Sequence, residues 1–164
     1  MTSVEIGAVV LAAGQSRRMG RPKQVLPWGS KTVIAHVVEV LTWALVDPIV
    51  VVTGGSHQEV ERALLGTPAQ PVFNAHFMNA EMGSSLKTGL VALPQRTEAV
   101  LVVLGDQPQL ELIVVRGLVD LYQDSRACLI LPSYHNRRGH PWLVGRSMWS
   151  ELIRESDSGL CGIF

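Results

Sequence analysis

The chain has 164 residues, of which 47% are hydrophobic and 17% charged, so it can bury one sizeable core and is too short for two comfortable domains. Its 14 basic residues balance 14 acidic ones, which argues against a long nucleic-acid-gripping face. No apolar run reaches membrane-span length, the N-terminus lacks a signal-peptide pattern, and the two cysteines, Cys128 and Cys161, lie too far apart for a disulfide scaffold; the expectation is a cytoplasmic protein that engages neither membrane nor nucleic acid.

In chain order, residues 6–11 read as a strand of continuous aliphatic residues, followed by a glycine-containing turn and a helix over 32–43. Residues 49–53 repeat the pattern ahead of a helix over 58–65. A helix over 85–93 leads to a third strand at 99–104 and a helix over 110–122. A fourth strand over 128–131 and a helix over 147–155 close the order. Apolar strands buried on both faces call for a parallel sheet covered by helices on each side. The expected class is therefore α/β, a three-layer sandwich with a mainly parallel twisted sheet and right-handed crossovers. Ligands in such sheets sit outside the carboxyl ends of the strands, so the residues after each strand carry the chemistry.

After the first strand comes Leu11-Ala12-Ala13-Gly14-Gln15-Ser16-Arg17-Arg18-Met19-Gly20-Arg21-Pro22-Lys23. Small residues there let the backbone approach a ligand closely, so that N–H groups face phosphate oxygens. Arg17, Arg18, Arg21 and Lys23 concentrate positive charge in a chain with none net, which makes an anion site. A merely solvated basic loop is the plain alternative. The loop is not a Walker loop, and it does not read G-x-G-x-x-G.

The contiguous pattern L-A-A-G-x-S-x-R-M-G-x-P-K-x-x-L-P resembles the signature of the MobA-like nucleotidyltransferases, and within them the molybdenum cofactor cytidylyltransferases. The resemblance implies a Rossmann-like fold of the nucleotide-diphospho-sugar transferase type. It also implies a loop that wraps a nucleoside triphosphate through Leu11, Ala12, Ala13, Gly14 and Ser16, with Arg18 and Lys23 stabilising charge during transfer. Ala13 stands where the guanylyl branch has Gly, which points to CTP rather than GTP. The implied acceptor is a phosphorylated pterin-type cofactor, and the implied protein partner a molybdoenzyme or maturation factor.

The third strand runs into Gly105-Asp106-Gln107-Pro108. A carboxylate at that rim suits Mg²⁺ held among phosphates, while capping of the next helix is the competing role; the neighbouring phosphate loop favours the metal. The resemblance implies the same for Asp106 and sets Gln107 and Pro108 on the acceptor side. Gly83, Ser84 and Ser85 read as a helix start whose N–H groups serve an anionic or carbonyl ligand, or whose serines simply cap. The family pattern assigns Ser84 and Ser85 to nucleotide binding and, more weakly, Asn74. Gly139-His140-Pro141 matches an acceptor-side element, with His140 able to contact a phosphate or a pterin edge. Arg137 and Arg138 suit an acceptor phosphate or are ordinary exposed arginines.

Asp157 matches a second metal-binding aspartate of the family, although Leu160 and Cys161 replace the residues usual after it. The expectation is one transferase domain over 1–164 that lacks the family's C-terminal segment, which leaves the activity of the shortened chain in question. Other conspicuous residues receive structural readings. Gly54 and Gly55 make a tight turn, Ser56 caps a helix, and His57 is an exposed first-turn residue. Cys128, Trp43, Trp149 and Tyr122 belong to the core, and Trp28 follows the signature loop. The rival functions are a transferase for another small phosphorylated acceptor, a dinucleotide-dependent reductase, and a non-catalytic nucleotide-binding module.

Overall fold

The central strand, β1 (Ile6–Ala12), is built of residues with no polar side chain, and it can only lie in the middle of a sheet. In the computed structural model, which describes residues 4–14, 20–78, 82–135 and 137–155, it does. The hairpin β2 (Pro27–Trp28) and β3 (Lys31–Thr32) leads into α1 (Val33–Trp43). Then follow β4 (Ile49–Thr53), α2 (His57–Ala63), β5 (Gln70–Phe73), α3 (Met82–Ala92), β6 (Ala99–Leu104) and α4 (Leu112–Ser125). The chain continues through β7 (Leu129–Ile130), the hairpin β8 (Ser133–Tyr134) and β9 (Arg137–Arg138), β10 (Trp142–Gly145) and α5 (Trp149–Glu155).

The main sheet has the order β5-β4-β1-β6-β10-β7. Strands β5, β4, β1 and β6 are parallel, and β10 runs antiparallel between β6 and β7. Alternate residues face opposite layers. Ala8, Val10, Val51 and Leu101 pack under α1, α2 and α4, whereas Val9, Val50, Val52 and Val102 pack under α3 and α5. These side chains are fully enclosed, each valine and leucine among them contributing about 1.5–3 kcal/mol. Helix α3 lies close on the sheet because Gly89 has no side chain: a Cβ there would stand 2.3 Å from Val9 Cγ1. The three-layer α/β sandwich with a mainly parallel sheet is thus the architecture the sequence calls for. Among the described residues no helix is long and apolar enough to cross a membrane.

Strand positions 49–53 and 99–104 coincide with the expected ones, and helix ends differ by a few residues. Two sheet strands carry no clear sequence signal. Strand β5 contains Pro71, which is tolerated because β5 lies at the sheet edge, and β10 is short and follows a polar loop. Four structural readings need correction. Cys128 is exposed, because it precedes the outermost strand β7 instead of joining the core. Trp43 is 53% exposed, because Val37, Val38, Val40 and Leu41 take the buried face of α1. Ser56 makes no capping hydrogen bond to α2. His57 is half-buried, with Nδ1 3.2 Å from the Gly54 carbonyl. Trp149 and Tyr122 are buried as expected.

Candidate functional site

The chain leaves β1 for β4 on one side and returns to β6 on the other, so the carboxyl ends of β1 and β6 flank the switch point of the sheet. Leu11 and Ala12 end β1, and Ala13 and Gly14 follow at the rim. The N–H of Gly105 donates to the Leu11 carbonyl at 3.0 Å, which draws the turn after β6 against the turn after β1. Asp106 therefore stands exposed beside the small-residue loop. It does not cap the next helix: α4 begins at Leu112, with Glu111 at its N-cap position. The competing capping role for Asp106 thus has no helix end to serve.

Lys23 lies exposed at the start of a short 3-10 helix, Lys23–Val25, whose middle residue, Gln24, is buried. Gln24 anchors the segment that carries the lysine. Ser16, Arg18 and Asp157 fall outside the described residues. Among the described residues no three His, Cys, Asp or Glu side chains gather into a metal-binding group. Magnesium commonly takes only one or two protein carboxylates and completes its shell with water and substrate phosphates, so Asp106 by itself fits such a site.

On the β4–β5 side of the rim, Asn74 follows β5 and is buried. Its amide Nδ2 donates to Ser84 Oγ and Ser85 Oγ, both at 3.2 Å, and its Oδ1 accepts from the His76 N–H at 3.0 Å. Ser84 and Ser85 therefore bind Asn74 and tie the end of β5 to the first turn of α3. Gly54, after β4, presses on the loop itself: a Cβ there would stand 2.5 Å from the Ala13 carbonyl oxygen and 2.9 Å from Phe77 Cβ. Gly54 is needed for close approach, which the reading of a simple tight turn does not capture.

On the β6–β10 side, Gln107 and His140 line one cavity of about 90 Å³, together with Gln109 and Glu111 and an apolar floor that includes Val103 and Pro141. Pro108 is half-buried next to Gln107 in the chain, and Gly139 is held by an N–H bond to the Pro132 carbonyl at 3.0 Å. Strand β7 ends at the same rim, which brings the hairpin carrying exposed Arg137 and Arg138 to this side. The proposed acceptor residues thus come together, while the nucleotide-side serines lie across β1 from them.

The His140 ring stacks on Trp142 with centroids 4.3 Å apart and planes at 22°. Its Nε2 is enclosed and has no hydrogen-bond partner among the described residues. Burial holds its pKa below the ordinary histidine value of 6.5. A depressed folded-state pKa means that the stability contribution is complete above the unfolded value and is lost as pH falls towards the folded one. Thermal melting of the wild type is expected to fall more steeply between pH 7 and 5 than that of His140→Gln. Parallel slopes for the two proteins would remove this role.

Sequence reasoning missed Phe77 and the packing role of Gly54. Neither has a local signal, since both depend on a contact between segments far apart in the chain.

Comparison with known proteins places this geometry in a family. The family model described as the MobA-like NTP transferase domain matches residues 8–163. The chain is 31% identical over 158 residues to the bifunctional protein GlmU of Francisella tularensis, covering 93% of this chain and 34% of GlmU, so it spans about a third of that protein. It is also 31% identical over 145 residues to nicotine blue oxidoreductase of Paenarthrobacter nicotinovorans, covering 85% of this chain and 70% of the relative. Among solved structures, Rv0371c of Mycobacterium tuberculosis superposes with a TM-score of 0.83 at 30% identity, over 93% of this chain and 77% of that one. The same protein has been solved as a complex with manganese. With its signature loop at the end of β1, its acidic turn at the end of β6 and a family match along nearly its whole length, the chain belongs to the MobA-like NTP transferase domain family.

Proposed function

We propose that the chain transfers a cytidylyl group from CTP to the terminal phosphate of a molybdopterin-type acceptor. An acceptor phosphate oxygen attacks the α-phosphorus of CTP, the bond from that phosphorus to the bridging oxygen breaks, and pyrophosphate leaves. The observation that carries this reading is the junction of Ala13–Gly14 with Asp106 at the switch point, fixed by the Gly105–Leu11 hydrogen bond. Two anions must be brought together there, so the work of the protein is alignment and charge neutralisation. Backbone N–H groups around Ala13 and Gly14 hold the phosphates. Arg18 and Lys23 stabilise the charge that builds on the transferring and leaving groups. Asp106 and Asp157 would hold Mg²⁺, which when bound offsets phosphate charge as a Lewis acid. Gln107, Pro108, Gly139 and His140 receive the acceptor across β1 from the nucleotide.

Calorimetric titration of CTP and GTP, each with and without Mg²⁺, tests the reading. The expected result is Mg²⁺-dependent CTP binding, with pyrophosphate released once the acceptor is added. A GTP preference moves the assignment to the guanylyl branch, CTP binding without pyrophosphate release supports a non-catalytic nucleotide-binding relative, and binding of neither nucleotide overturns the reading. The likeness to nicotine blue oxidoreductase favours a second reading, a reductase that uses the same crevice for a dinucleotide. NADPH binding in the absence of CTP binding would support it.

A further inference from the structure

The cavity on the β6–β10 side of the rim has a volume of about 90 Å³. Pockets that enclose a whole small molecule run to roughly 300–1,000 Å³, so this one takes only one end of a ligand. Its polar lining comes from Gln107, Gln109, Glu111 and His140. Of these, Glu111 alone carries a formal charge near pH 7, because the His140 ring is neutral there. The enclosed Nε2 of that ring has no partner among the described residues, and burial holds its pKa below 6.5. Among the described residues no lysine or arginine lines the cavity, and Arg137 and Arg138 stand exposed on the neighbouring hairpin.

A phosphate entering here would meet a carboxylate and no counter-charge, which is a costly way to bury an anion. The positive end of α4 does not reverse this. The first turn of that helix reaches the cavity through Val114, but Glu111 occupies the N-cap position and already sets an acidic side chain at that end. The Glu111 side chain makes no capping hydrogen bond, so its oxygens are not committed to the helix. A carboxylate only accepts hydrogen bonds, and Gln107 and Gln109 each add an accepting carbonyl oxygen. The His140 ring, stacked on Trp142 with planes at 22°, forms a wall held in one orientation. Such a lining suits a flat group that gives hydrogen bonds.

We propose that this cavity takes the uncharged, N–H-bearing planar end of the acceptor, an amide or aminopyrimidinone edge, and that Glu111 is the residue that reads it. Gln107 directly follows Asp106 in the chain, so an acceptor seated by this end keeps its phosphate for the junction where transfer occurs. The acceptor role rests on the nucleotidyl-transfer reading and adds to it a specificity-determining residue.

The test uses three probes: 2-aminopyrimidin-4-one, which carries the edge; pyrimidine, which has the ring without the donors; and inorganic phosphate. Shifts of the His140 ring protons report binding to the wild type, Glu111→Gln and Glu111→Ala, with thermal melting to establish folding and CTP titrations in parallel. The aminopyrimidinone is expected to move the wild-type resonances, while pyrimidine and phosphate leave them in place at the same concentration. Its affinity falls about tenfold in Glu111→Ala, the scale of one hydrogen bond to a charged group. Glu111→Gln, which keeps an accepting oxygen, gives a smaller fall and carries the test if the alanine variant loses its cooperative melt. Equal binding of pyrimidine, displacement of the aminopyrimidinone by phosphate, wild-type affinity in both folded variants, or no response to any probe would each overturn the proposal. A wild type that takes the aminopyrimidinone through Glu111 but binds no CTP overturns the nucleotidyl-transfer reading, and the acceptor role with it.

Discussion

Lys23→Ala is expected to lower nucleotidyl transfer by about 10²–10³, the usual loss when one preorganised donor to developing charge is removed. The side chain is exposed, so the change should leave stability within about 0.5 kcal/mol of wild type. What makes the loss large is how the residue is mounted. Pro22 precedes it in an extended conformation, and buried Gln24 follows, seating the 3-10 helix against α1 and α2. Lys23 therefore extends from a fixed segment of backbone. Lys23→Arg should recover only part of the rate, because a planar fork on a longer stem does not reproduce a compact point charge. Pyrophosphate release at saturating CTP reads both variants, and near-full turnover of Lys23→Ala removes the role assigned to it.

Much of the layer structure was legible because it depends on local pattern. The run at 99–104 is apolar throughout and that at 49–53 is apolar up to Thr53, and a strand buried on both faces accommodates such runs. The signature loop was legible for a different reason, since its small and basic residues are contiguous. Strand β5 was not, because Gln70 and Pro71 carry edge-strand character that sequence pattern alone does not separate from a loop. The exposure of Trp43 was likewise hidden, since a tryptophan in a helical pattern tells its face only once its neighbours are placed. At the site, Asp106 and His140 were visible as residues following strands or turns. The locking of Ser84 and Ser85 by Asn74 was not, because it joins an edge strand to a helix start through a single buried amide. The contact of Gly54 with Ala13 and Phe77 is the same kind of fact: three segments converge, and no one of them announces it.

Asp106→Asn is expected to lower turnover by about 10²–10³ and to raise the Mg²⁺ concentration needed for half-maximal rate. The asparagine variant separates two roles that alanine would confound. An aspartate can shape a turn through its side-chain oxygen, and asparagine does this equally well, so a purely structural Asp106 would leave activity nearly intact. Hard-cation binding, in contrast, depends on the full carboxylate charge that the amide lacks. The fold supports the second role, since α4 starts at Leu112 and the turn at Asp106 is already held by the Gly105–Leu11 hydrogen bond without help from the side chain. The measurement is the rate against Mg²⁺ concentration for wild type and variant, with CTP titrations in parallel. A variant with an unchanged Mg²⁺ profile and wild-type turnover would show that Asp106 only shapes the turn. A variant that binds CTP as well as wild type without metal, but gains nothing when Mg²⁺ is added, would locate the ion at this carboxylate.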